Sequence, residues 1–171
     1  NMANLVNAWK IIPINELSKV RKDDALEISM EQGRVFVGWG AIGNIVTGRI
    51  DDTDVMEIAL KRAYPGGNNL NNGIRALMNF AYLVVPGDIV LIMGNTKSAL
   101  CVIDGDYEYE DSTHFGMPEG YDHQRHISVI SRDTREVERV ESMCSGFDGS
   151  QYVTVRKSKY PVDPAVVRRE K

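Results

Sequence analysis

Ile89-Val90-Leu91-Ile92-Met93 and Ala99-Leu100-Cys101-Val102-Ile103 are two short apolar runs separated by the polar stretch Asn95-Thr96-Lys97. Runs of this length and composition read as buried strands, and the intervening turn makes them a hairpin. Pro86-Gly87-Asp88 is a turn signal that opens it. Further strands are expected at Ala8 to Ile12, closed by Pro13, at Arg34 to Val37, at Arg125 to Ile130 and at Gln151 to Arg156. A helix is expected over Asp23 to Gln32, with Asp23 as its cap and Gly33 after its end. Others are expected over Asp54 to Ala63 and Gly73 to Val84. Asp111 to Asp122 has the composition of a loop. Asp163-Pro164 pairs a cap with proline at the first helical position, opening a short basic helix. Together these give an α+β fold: a small, partly closed mixed β-barrel, mostly hairpin-connected, with flanking helices.

At 171 residues the chain suits one domain. Residues 1–4 read as unstructured, with Asn1 added ahead of Met2, and residues 160–171 as a helix or a linker to a further domain. No apolar run approaches the ~18 residues that span a bilayer, and no secretory signal opens the chain, so a cytoplasmic setting is expected. Cys101 and Cys144 fit no metal spacing and read as buried, reduced thiols. The formal net charge is −4. A protein that binds nucleic acid mainly through phosphates carries an excess of Lys and Arg, so such binding here has to rest on local patches.

Catalysis finds no footing in the residues, and neither a metal nor a cofactor is expected. His123 and His126 lie in a strand at an offset that sends them to opposite faces. Glycine-rich phosphate loops, nucleophile elbows and zinc-protease signatures are absent from the sequence. Asp104, Asp106, Glu108 and Glu110 would share one face of a strand, which reads as a solvated face rather than a cation site.

The segment Gly38-Trp39-Gly40-Ala41-Ile42-Gly43-Asn44 stands apart. Glycines on both sides of Trp39 remove side chains that would cover the indole, and they permit close approach or positive φ. The segment leaves a flat aromatic at a strand end, with the Asn44 amide able to pair with a base edge. Two uses fit these residues: a stacking surface for a ligand, or a plug for the end of a barrel. Trp9, among apolar neighbours, reads as core.

Val35 to Asn44 resembles the "IGWGELGD" stretch in N-terminal domains of modification-dependent restriction proteins of the Mrr and McrB type. Further matches follow in order. Val85-Pro86-Gly87-Asp88-Ile89-Val90 resembles the family's "ikpGDlVv", Val102 to Tyr109 its "GeItGdYeY", and His123 to Val129 its "hvRpVkW". Ile130 stands where that pattern often carries an aromatic. The matches cover about Trp9 to Ile130. Such domains are similar to the EVE, YTH and PUA superfamily of small nucleic-acid-binding barrels.

The resemblance implies a non-catalytic reader that flips a methylated or otherwise modified base out of double-stranded DNA into an aromatic cage. Such a reader targets a nuclease or NTPase module on the same chain or a partner. Trp39, flanked by Gly38 and Gly40, and Asn44 match the cage wall of the YTH branch. The other walls would come from Tyr107, Tyr109, Phe115 or Tyr121. Phosphate contacts are expected from Lys19, Arg21, Lys22 and Arg125, with Lys61-Arg62 and Arg156 to Lys159 as further basic runs. An interaction or small-molecule domain of the same fold, or an RNA-binding one, is the alternative, and the charge around Trp39 discriminates: a positive rim favours the reader, an acidic one the alternative.

Overall fold

A computed structural model describes residues 4–14, 18–68 and 70–169. Residues 1–3, and with them Asn1 and Met2, lie outside the described residues, as do 170–171. Seven strands form one mixed sheet: β1 (Ala8–Ile11), β2 (Arg34–Val37), β3 (Ile89–Met93), β4 (Ser98–Ile103), β5 (Glu108–Tyr109), β6 (His123–Ser131) and β7 (Val155–Lys157). Five α-helices accompany them: α1 (Lys22–Gln32), α2 (Thr53–Ala63), α3 (Leu70–Met78), α4 (Thr134–Met143) and α5 (Pro164–Val167). The strand order is β2-β6-β4-β3-β1-β7, and the sheet curls into a half-barrel.

The apolar runs explain the middle of this sheet. β3 and β4 form the expected antiparallel hairpin, from Ile89 opposite Val102 to Met93 opposite Ser98, and nearly every side chain in it is buried. The remaining connections are mostly not hairpins. β1 lies parallel to β3, Ala8 opposite Ile89, which requires a long crossover, and α1, β2, α2 and α3 occupy it. The sheet therefore has helices on its faces, and its core divides into clusters on either side. Alternation along β2 shows the division, with Val35 and Val37 in one cluster and Phe36 in another.

Several boundaries differ from expectation for local reasons. Asp23 does not cap α1; Arg21 occupies the cap position with no side-chain bond. The Asp23 carboxylate instead accepts the Asn95, Thr96 and Lys97 amides at 2.7–3.2 Å and the Thr96 hydroxyl at 2.6 Å, fastening α1 to the β3–β4 turn. Asp52 caps α2, accepting the Val55 amide at 2.8 Å. The expected helix to Val84 stops being α-helical at Met78 and widens into a π turn over Asn79–Leu83. Gln151 to Thr154 is turn rather than strand. Asp104 and Asp106 lie outside β5, so the four acidic residues do not share a strand face: Asp104 bonds Ser128, and Glu108 meets His126 Nε2 at 2.8 Å.

α4 was not among the expected elements. Asp133 caps it, accepting the Arg135 amide, and Val137 and Val140 are its buried stripe. The C-terminal stretch is docked: Val162 bridges Val6, Val167 is buried, and Arg139 donates to the carbonyls of Val166 and Val167. Cys101 and Cys144 are free and buried, and burial pushes their thiols up to about 12 and about 11. Among the described residues, no helix is long and apolar enough to cross a membrane.

Candidate binding site

β2 ends at Val37, directly opposite His123 at the start of β6, and the chain leaves the sheet through Gly38 and Trp39. Gly40 is required by close approach. A Cβ there would lie 2.1 Å from the Asp122 carboxylate and 2.8 Å from the Gly120 carbonyl, which accepts the Gly40 amide at 2.8 Å. Gly38 lies beneath the Tyr121 ring, 3.5 Å from its would-be Cβ. Both glycines thus serve packing of the loop against 120–122, where uncovering of the indole was expected.

Trp39 has φ +62°, a left-handed conformation that a bulky residue rarely adopts. Its indole is partly buried against the core cluster that contains Leu60 and Leu77. Gly73, on α3, is the seat: a Cβ there would lie 3.1 Å from Cε2 and 3.2 Å from Nε1 of the indole. An isolated glycine within a helical pattern marks such an approach, so the sequence does carry this signal.

Four side chains fasten the loop. The His123 ring contacts the Trp39 carbonyl through Nε2 at 3.1 Å and the Tyr107 hydroxyl through Nδ1 at 2.6 Å. Tyr107 Oη also accepts the Ile45 amide at 3.1 Å. Tyr109 donates to the Gly40 carbonyl at 2.7 Å, and Tyr64 accepts the Ala41 amide at 3.1 Å. The Tyr107 and Tyr109 rings pack on His123 with centroids 5.7 and 5.5 Å away. Burial lowers His123 to about 4 and raises both tyrosines above their usual range, so all three are neutral at pH 7. His123, Tyr64 and Gly73 were not anticipated as site residues.

The remaining expected residues separate. Asn44 Oδ1 accepts the Val46 and Thr47 amides, each at 3.0 Å, which closes a local turn. Its carbonyl is therefore spent on the backbone, and its Nδ2 makes no bond to the described residues. Phe115 does not face Trp39: it packs at 5.9 Å on Phe36 beneath the Arg34 guanidinium, and it and Tyr121 belong to the Phe36 cluster. Arg125 is no phosphate ligand. It is 2% exposed, and its guanidinium donates to the carbonyls of Gly105, Phe80 and Val84 at 3.0, 2.8 and 2.7 Å. Phe80 lies in the π turn and Val84 at its end, so Arg125 joins that turn to the segment after β4.

Lys19 and Arg21 are exposed, and Lys22 opens α1. Arg21 and Lys22 adjoin Asp23, which is fastened to the β3–β4 turn, away from the end of β6 that carries His123. Lys61 and Arg62 are nearer to Trp39, between Leu60 and Tyr64. On the Tyr109 side runs an open groove of about 490 Å³ lined by Tyr109, Asp111, Thr113, Glu119 and Asp122, so the charge around the loop is mixed and acidic on that side. Among the described residues, no cluster of histidine, cysteine or carboxylate side chains could hold a metal.

Residues 9–146 match the family model described as "Domain of unknown function (DUF8426)". Neither a curated protein nor a solved structure matches the chain.

Proposed function

This chain belongs to the DUF8426 family, and we propose that it is a binding domain that reads a modified base flipped out of DNA, with Trp39 as its stacking surface. The observation that carries the reading is the backbone of Trp39. A left-handed conformation costs a bulky residue on the order of 1–3 kcal/mol, and such strain persists where its surroundings over-determine it. Here Gly73, His123, Tyr107 and Tyr109 do so, holding an aromatic ring at the rim of a half-barrel. A rigid aromatic suits stacking, which contributes about 1–3 kcal/mol per base and offsets the few kcal/mol that flipping requires. Asn44 Nδ2 and the carboxylate of Asp122 supply a donor and an acceptor for a base edge. The resemblance to restriction-associated domains gives the reader its role, delivery of a nuclease or NTPase module to modified DNA.

The acidic groove favours a second reading, a site for a cationic small molecule or a basic protein segment. One titration separates the two. Duplexes with 6-methyladenine, 5-methylcytosine or no modification are titrated against wild type and Trp39→Ala, in parallel with a polyamine and a lysine-rich peptide. The reader requires preference for one modified duplex and at least about a tenfold loss in Trp39→Ala. Equal affinity for all duplexes, or an undiminished variant, overturns it; polyamine or peptide binding abolished by Glu119→Lys establishes the second reading.

A further inference from the structure

We infer that Tyr107 and His123 are positioning residues, which set the Trp39 loop through one buried hydrogen-bond relay whose direction is fixed by its two ends. The Ile45 N–H can only donate, so Tyr107 Oη accepts it and its own proton points to His123 Nδ1. The Trp39 carbonyl can only accept, so the ring proton of His123 sits on Nε2. Both ring nitrogens are used, and one neutral tautomer satisfies the whole chain. The relay starts at Ile45 and ends at Trp39, so it closes across the loop that contains the 3-10 turn Gly40–Ile42 and Gly43 at φ +80°. Removing either side chain releases one end of that loop from the other.

The relay also couples the loop to a proton. An imidazolium carries hydrogen on both nitrogens, so Nδ1–H would confront the Tyr107 hydroxyl proton and break the relay at its centre. The groups that face His123 do little to hold a charge there. Tyr107 and Tyr109 come from the β5 side, the Trp39 carbonyl from the β2 side, and Asp122 from the position directly before His123. Asp122 Oδ1 already accepts the Ser112 amide. Glu108 on β5 and Arg34 on β2 are engaged with His126 and Gln124.

This inference shares with the proposed function only the premise that Trp39 is the contact surface. Its test needs no ligand, so either can fail alone. The full chain is labelled with 5-fluorotryptophan and followed by 19F NMR, the two resonances being assigned with Trp39→Phe. In Tyr107→Phe and His123→Phe the Trp39 resonance is expected to shift and broaden while that of Trp9 stays in place. In wild type, lowering the pH from 7 to 4 is expected to move the Trp39 resonance reversibly, and His123→Phe is expected to abolish that response. A Trp39 resonance unchanged in Tyr107→Phe overturns the inference, as does a pH response that survives in His123→Phe. Should His123→Phe not fold, Tyr107→Phe decides alone, since it removes a single hydroxyl.

Discussion

Arg125 is the residue whose role changes most between a strand pattern and a packed core. In an alternating strand it is a cation free to meet phosphate; in the fold it is the common donor to three carbonyls from two separate segments. Arg125→Met keeps the bulk and removes the donors. The orphaned carbonyls and lost guanidinium should cost about 3 kcal/mol or more, read as a lowered urea midpoint. A phosphate role would instead lower DNA affinity at unchanged stability. His123 carries a second residue-scale expectation. Burial holds it at about 4 in the folded chain, against 6.5 when exposed. The unfolded chain therefore takes up the proton first. The stability that neutral His123 contributes is complete above about pH 6.5 and lost as pH falls to 4, roughly 3 kcal/mol in all. Chemical denaturation at several pH values checks this, and His123→Gln should flatten the slope in that window.

At the scale of elements, α1 is held less by its own cap than by Asp23 at the β3–β4 turn. Thr96, through its hydroxyl, and the amides of the turn hold that carboxyl at about 2, against an ordinary 3.8. A lowered carboxyl pKa contributes stability above pH 3.8 and loses it as pH falls through 2. Wild type should thus lose melting temperature between pH 4 and 2 more steeply than Asp23→Asn, and Gly94→Ala should mimic the low-pH loss at pH 7, since a Cβ there would lie 2.3 Å from Asp23 Oδ1. The same element scale shows what a sequence displays. β3 and β4 are legible because every residue except Ser98 is apolar. α4 carried a cap at Asp133 and a stripe at Val137 and Val140, yet so few apolar residues among charged ones give a thin periodic signal. At the site, Trp39 stands out through its glycines, while Arg125 proves to be a core donor and Asn44 spends its carbonyl on a local turn. Their partners are backbone carbonyls and amides, which no pattern of side chains reveals. Strand alternation shows which face His123 takes, but not the Trp39 carbonyl that waits there.

For the whole molecule, the question is where the folding unit ends. The family match stops at 146, yet β7, Ser158, Val162 and Val167 lie beyond it and are packed against the rest. Without them Ala8 loses the Ser158 hydroxyl, Ile12 loses the Thr154 carbonyl, and Val155, Val162, Val167 and Phe147 leave the core. Each buried apolar side chain contributes about 1.5–3 kcal/mol, so the total rivals the 5–15 kcal/mol by which a domain is stable. A chain ended at Gly146 should show no cooperative thermal transition by calorimetry, while one ended at Arg169 should melt as a single unit.

β1 sits between β3 and β7, and this placement has a kinetic meaning. Trp9 meets Asp88 across 79 residues of chain, and Ala8 meets Ser158 across 150. Closing loops of that length precedes any gain from the contacts they bring, so chains built on distant pairings fold slowly. On a ribosome the earliest strand to emerge would wait for the last to acquire its second neighbour. Until then its apolar residues, Trp9 and Ile11 among them, are exposed to other chains. The interval before β7 arrives is the one in which a chaperone would matter most to this fold.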